Sequence, residues 1–228
     1  MLNSSGLTAD PLPSPSSNVS VALNAPQLGE QIPIEQAAAY EVKWLRQAAA
    51  DDGSSLEIAL DGARTRRIPA TRASLPLAEL LDTGASLQPG SHWLFAAAVL
   101  PSGLVPRPAP GASRAAVARH FFVGPAPSGD TGPSGALWLR KPEGTYNGSK
   151  DAETLLFDVL VFSATGAPVE PLYTVSLNGA GRVGELHFPS PFAVHDVPSG
   201  EYTVAVSAPG AQPISARFTV NRELGGAP

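Results

Sequence analysis

The chain has 228 residues, 43% of them hydrophobic and only 15% charged, with 22 Gly, 24 Pro, no Cys and a net charge of −5. This length suits one large domain or two ordinary ones of about 100–150 residues, and so much turn chemistry argues against long helices. The missing cysteines exclude a disulfide framework, a thiolate metal site and a cysteine nucleophile. The negative charge, with no basic run longer than Arg66-Arg67, excludes the cationic footprint that nucleic acid requires.

Residues 1–18 are rich in Ser, Asn and Pro, a composition that reads as a disordered, solvated tether. No stretch in the chain approaches the roughly 18 apolar residues of a membrane span, and the start lacks the charged and apolar regions of a signal peptide. Leu2-Asn3-Ser4-Ser5-Gly6 and the prolines that follow resemble the start of a mature bacterial lipoprotein, with Met1 standing where the acylated cysteine would be. The resemblance implies a bacterial cell-envelope address, periplasmic or displayed outside, and a lipid anchor at the N-terminus. A bias of 12 Arg to 3 Lys fits a GC-rich bacterial genome.

The strongest signal is an internal duplication. The strand Val19-Ser20-Val21-Ala22-Leu23, ending at Pro26, corresponds to Ala136-Leu137-Trp138-Leu139-Arg140, ending at Pro142. A second strand follows in each half, at residues 40–45 and 156–162, with Trp44 and Phe162 as core anchors. Ile58-Ala59-Leu60-Asp61-Gly62 then matches Val175-Ser176-Leu177-Asn178-Gly179, and Asp-Gly or Asn-Gly predicts a hairpin turn, since both dipeptides accept positive φ. Pro89-Gly90 and Ser199-Gly200 launch strands whose alternate residues (His92, Leu94, Ala96; Tyr202, Val204, Val206) share a face. Each half closes on a final edge strand, Arg119-His120-Phe121-Phe122-Val123 or Arg217-Phe218-Thr219-Val220.

Short strands separated by Gly/Pro/Asn/Asp turns predict an all-β chain of antiparallel β-sandwiches, because each sheet then needs only one apolar face. This strand and turn order resembles the immunoglobulin-like and fibronectin-III-like modules of bacterial envelope proteins, over about residues 19–123 and 136–221. The expected organisation is a tether at 1–18, two tandem immunoglobulin-like β-sandwiches at 19–123 and 136–221, a Pro/Gly linker at 124–135 that permits bending, and a disordered tail at 222–228. There is no Cys-Trp-Cys core, so an antibody-type domain is excluded. Such motifs carry fold and not chemistry.

Several local patterns bear on function. Leu81-Asp82-Thr83-Gly84-Ala85 resembles the D-T-G-A motif of retroviral-type and pepsin-like aspartic proteases, in which two carboxylates sharing a proton supply base and acid together. That resemblance would make Asp82 catalytic, with Asp130 of the second Asp-Thr-Gly as its partner. Asp130, however, sits in the Pro/Gly linker without an apolar strand to deliver it, and residues 106–110, where a flap hairpin would be needed, hold three prolines. These departures outweigh the match, and Asp82 reads as part of a turn ahead of Leu87, the place that His195-Asp196-Val197-Pro198 fills in the second half.

His92, His120, His187 and His195 lack metal-site spacing, so no metal and no cofactor are expected. Asp51, Asp52, Asp151 and Glu153 lack calcium-loop alternation. Tyr146, in a predicted loop, is the aromatic available for stacking on a glycan, whereas Trp44, Trp93, Trp138, Tyr40 and Tyr202 fall in strands, where burial is the default. Arg64, Arg66 and Arg67, ahead of an insertion-like stretch at 68–87, and Arg72 near its start form a basic patch, read either as a protected sheet edge or as a docking face for an acidic protein. The function expected is a non-catalytic structural, adhesion or assembly role in the envelope, with another protein as partner. The alternatives are an aspartic peptidase centred on Asp82 and a glycan-binding module using Tyr146.

Overall fold

A computed structural model describes residues 8–11, 19–47, 53–62, 65–69, 71–82, 84–106, 115–126, 128, 134–140, 144–148, 155–169, 174–179, 182–186, 192–195 and 197–222. In chain order the strands are β1 (Thr8–Pro11), β2 (Ser20–Ala25), β3 (Glu30–Ile32), β4 (Glu41–Gln47), β5 (Ser55–Leu60), β6 (Arg66–Ile68), β7 (Ser74–Pro76), β8 (Gly90–Val99) and β9 (Ala116–Val123). They continue with β10 (Ala136–Arg140), β11 (Gly144–Gly148), β12 (Leu155–Phe162), β13 (Pro168–Val169), β14 (Thr174–Gly179), β15 (Arg182–Leu186), β16 (Phe192–His195), β17 (Gly200–Ser207) and β18 (Ile214–Arg222). The only helical pieces among the described residues are α1 (Ile34–Ala37) and a 3-10 turn at Leu77–Leu80. The chain is all-β, as the density of turn residues required.

Two compact units form. The first contains residues 14–136 together with 161–169. Its sheets run β2-β4-β7 and β3-β9-β8-β5-β6. Side chains from both sheets meet in one core: Val21 and Leu23 of β2, Val42 and Trp44 of β4 and Leu75 of β7 against Ile58 and Leu60 of β5, Leu94 of β8 and Phe121 of β9. That is a sandwich closed by period-2 alternation. Along β8, however, Phe95 and Ala97 are buried as well as Leu94 and Ala96. The reason lies in residues 161–169, where Phe162 packs 5.5 Å from Phe95 and the Gly166 carbonyl accepts the Ala118 N–H at 3.1 Å.

The second unit contains residues 1–13, 137–160 and 170–228. Its sheets run β1-β16-β12-β10 and β11-β18-β17-β14-β15. Phe157 of β12 meets Phe218 of β18 at 6.4 Å, and Tyr202 of β17 stacks on Phe218 at 5.4 Å, so aromatic rings join the two layers.

Strand for strand the two units repeat. β2, β4 and β7 correspond to β10, β12 and β16, and β3-β9-β8-β5-β6 to β11-β18-β17-β14-β15. This is the immunoglobulin-like strand order expected from the duplication, and every strand pairing read from the two halves falls on corresponding strands.

Several details differ from the sequence reading. β9 and β18 are not edge strands: β3 pairs with β9, and β11 with β18, each in parallel. The chain leaves the first sheet after β2 and β10 and lends a short second strand to the opposite sheet, a crossing hidden by its Gly/Pro content. Tyr146 lies in β11, opposite Val220, and not in a loop. Asn178 and Gly179 are paired strand residues, opposite Val183 and Arg182, and not the turn of that hairpin. Thr8–Pro11, within the expected tether, pairs with Phe192–His195 of β16 as an antiparallel strand.

Candidate functional site

The leads at Asp82 and at the arginine patch converge. After β7 the 3-10 turn at Leu77–Leu80 carries the chain past Asp82 to β8, and the stretch stands beside β6, the edge strand of its sheet. Together they bound a groove of about 500 Å³ lined by Arg66, Arg67, Arg72, Glu79 and Asp82, with Leu75 and Leu81 supplying apolar wall. The second unit joins β16 to β17 across residues 196–199 alone, so the longer insertion is what builds this groove.

Each arginine has a structural task. Arg72 forms a bidentate pair with Glu79, both contacts 2.8 Å, and donates from Nε to the Ser74 carbonyl at 2.6 Å. The Glu79 hydrogen bond holds Arg72 above its ordinary pKa, and the reciprocal bond holds Glu79 below the usual carboxylate range. Exposed as this pair is, it fixes geometry more than it adds stability. Arg66 donates to the Leu81 carbonyl at 3.0 Å and so ties β6 to the insertion. Arg67, with its side chain 62% exposed, reaches back 3.2 Å to Glu57, which is almost wholly buried on β5. Three arginines thus face two lining carboxylates, Glu79 and Asp82. With Glu57 paired to Arg67 the charges at the groove balance, and what the arginines offer is a planar, fork-shaped donor geometry suited to carboxylates.

The remaining sequence leads separate. Arg64, Thr83, Asp130, His187, Asp51, Asp52, Asp151 and Glu153 lie outside the described residues, as does the side chain of Tyr146. No group of three or more His, Asp or Glu able to hold a metal occurs among the described residues. His120 is buried, with Nε2 2.6 Å from Ser91 Oγ, and Trp44 and Trp138 are buried in their units. No helix of the described residues is long and apolar enough to cross a membrane.

Two constellations escaped the sequence reading. His92 places Nε2 2.7 Å from the Gln88 carbonyl and Nδ1 2.7 Å from Asp61 Oδ2. In the second unit Tyr202, its counterpart on β17, donates its hydroxyl to the Pro198 carbonyl at 2.9 Å. That contact is the tyrosine corner of immunoglobulin-like sandwiches, and His92 makes the equivalent corner in the first unit. The alignment of Gln88-Pro89-Gly90-Ser91-His92 with Pro198-Ser199-Gly200-Glu201-Tyr202 was the available signal. The second constellation is the ion pair of Arg140 and Asp158, 2.5 Å apart with both side chains buried.

No protein-family model matches the chain, and no curated protein does. Among solved structures it is similar to the fibronectin(III)-like modules of Clostridium thermocellum CbhA, at 14% identity over 91% of this chain and 97% of that one, with a TM-score of 0.28. It is also similar to the N-terminal Ig1-2 module of the Drosophila receptor protein tyrosine phosphatase DLAR, at 9% identity over 89% and 99%, TM-score 0.26. A third is domains 4 and 5 of the S-layer protein SbsC, at 9% over 88% and 98%, TM-score 0.27. Likeness at these TM-scores carries neither a family nor a function to this chain; its immunoglobulin-like architecture rests on its own strand order.

Proposed function

We propose that this chain is a non-catalytic, two-module binding protein of the bacterial cell envelope. On this reading it engages an acidic protein partner through the arginine groove of the first unit. The observation that carries the reading is the duplication itself: one sandwich built twice, with the 68–87 insertion of the first unit forming a groove where the second unit joins β16 to β17 across residues 196–199 alone. Elaborating one copy of a repeated scaffold places recognition on a variable connection supported by a rigid frame. Arg66 and Arg67, with Arg64 beside them in sequence, are the residues proposed to meet the partner's carboxylates.

The test is affinity capture from envelope extracts with the intact protein and with Arg66→Gln/Arg67→Gln. One acidic protein is expected to be retained by the first, weakened at least tenfold in the second, and released as salt rises. Retention of the same partner unchanged by the double variant would move the interface elsewhere. Peptide cleavage at acid pH that disappears in Asp82→Asn would overturn the non-catalytic reading.

A further inference from the structure

We propose that the outer edge of β16 is a strand-acceptor site, and that in the assembled protein it receives Thr8–Pro11 from a second copy of the chain. The second unit already shows the edge accepting an added strand. β1 runs antiparallel to β16 with Thr8 opposite His195, Ala9 opposite Val194, Asp10 opposite Ala193 and Pro11 opposite Phe192. The fold does not require this strand. In the first unit the corresponding strand, β7, ends its sheet with no further strand beyond it among the described residues.

An open sheet edge presents unpaired backbone N–H and C=O groups and pairs with whatever extended segment is at hand. Here the pairing is short. It spans four residues, the last of them a proline with no N–H to donate. Ladder bonds that few open readily, because each exchanges with water at little net cost. The sequence between Pro11 and β2 carries Pro13 and Pro15, residues with no N–H to add to the ladder. Every copy carries both the strand and its edge, so exchange between copies replaces each contact with an identical one. Only the connection changes, which is the low-cost route to strand-swapped assembly. The groove of the first unit plays no part in this inference, and either can fail alone.

The chain has no cysteine, so engineered thiols report cleanly. Thr8→Cys and His195→Cys occupy opposed positions on β1 and β16. Equal amounts of the two single variants, mixed and mildly oxidised, are expected to yield a reducible dimer containing one of each. Neither variant alone should yield more than a tenth as much. The Ala9→Pro/Asp10→Pro variant, which removes the donor of whichever residue faces β16, should stay monomeric in light scattering at concentrations where the parent dimerises. The proposal is overturned if the double variant Thr8→Cys/His195→Cys closes its disulfide wholly within one chain while the mixture yields none. It is equally overturned if the parent's mass does not change with concentration, or if no disulfide forms in any sample.

Discussion

Nδ1 of His92 lies 2.7 Å from Oδ2 of Asp61, while its Nε2 lies 2.7 Å from the Gln88 carbonyl. A carbonyl oxygen only accepts, so Nε2 carries a proton. A carboxylate also only accepts, so Nδ1 carries the other. The geometry therefore selects the imidazolium. Asp61 is held for this role by its own backbone: φ is +53°, its second carboxylate oxygen accepts the Trp93 N–H at 2.7 Å, and its N–H donates to the Trp93 carbonyl at 2.7 Å.

The pH dependence of the first unit follows from this corner. Burial opposes the charge on His92, but the Asp61 hydrogen bond, the Gln88 carbonyl and the Asp61 charge outweigh it and raise the pKa. A group whose folded pKa is raised stabilises fully below its unfolded value, here about 6.5. That stabilisation is lost as pH rises through the folded value. Melting temperature is thus expected to fall as the buffer moves upward from about pH 6.5. His92→Tyr, which restores the corner used by Tyr202, should flatten that slope, and so should Asp61→Asn. An unchanged slope in both variants would place the titration elsewhere.

Much of this fold could be read from residue order because period-2 alternation and Gly/Pro punctuation are local signals. Val21 and Leu23, Leu94 and Ala96, and Tyr202, Val204 and Val206 turn inward where alternation put them. What stayed hidden was set by partners distant in sequence. β3 and β11 are too short and too turn-like to announce themselves, and become strands only because β9 and β18 offer an edge. Phe95 is buried on the face that alternation assigned outward, because residues 161–169 cover it. The groove was half legible: Asp82 and the arginines stood out singly, but only the 3-10 turn and the Arg66 bond to the Leu81 carbonyl bring them together.

The tyrosine corner of the second unit depends on a glycine across the sheet. Gly179 pairs with Tyr202, and a Cβ there would stand 2.3 Å from the Glu201 carbonyl oxygen and 2.5 Å from the Tyr202 ring. Gly179→Ala is expected to push the ring off its seat, break the 2.9 Å bond to the Pro198 carbonyl and cost about 2–3 kcal/mol, as overpacking does. Tyr202→Phe removes the hydroxyl alone and should cost about 1 kcal/mol. Denaturant midpoints check both; equal losses would mean that the ring's position does not matter.

Gly166 and Gly210 separate backbone strain from contact. Their φ angles are +77° and +75°, but a Cβ at 166 would lie 1.9 Å from the Ala118 carbonyl oxygen, while at 210 nothing comes within 4 Å. Gly210→Ala should therefore lose only the left-handed penalty, about 1 kcal/mol. Gly166→Ala must in addition displace the 161–169 segment from β9, where the Ala118 N–H donates to Gly166. A loss at least twice as large is expected, accompanied by faster amide hydrogen exchange in β9. Equal losses would show that the close approach relaxes freely.

Arg140 and Asp158 stand on β10 and β12 with side chains 0% and 2% exposed, and the guanidinium lies 5.9 Å from the centre of the Trp138 ring. In a low-dielectric interior the attraction between such charges roughly offsets their lost hydration, so the intact pair adds little net stability. Removing one partner takes the opposite charge away from the other. Arg140→Met and Asp158→Leu are each expected to cost about 3–5 kcal/mol, whereas the double variant, which leaves no charge behind, should recover most of that loss. The coupling energy from the complete cycle, measured by denaturant unfolding, is the deciding quantity. Additive losses would mean that each side chain is held by its other neighbours rather than by its opposite charge. A coupled result would explain how β12 keeps an aspartate in the middle of Leu156-Phe157-Asp158-Val159-Leu160, where an apolar residue would serve the sandwich as well: the pair fixes the register of β10 against β12, which hydrophobic packing alone specifies less sharply.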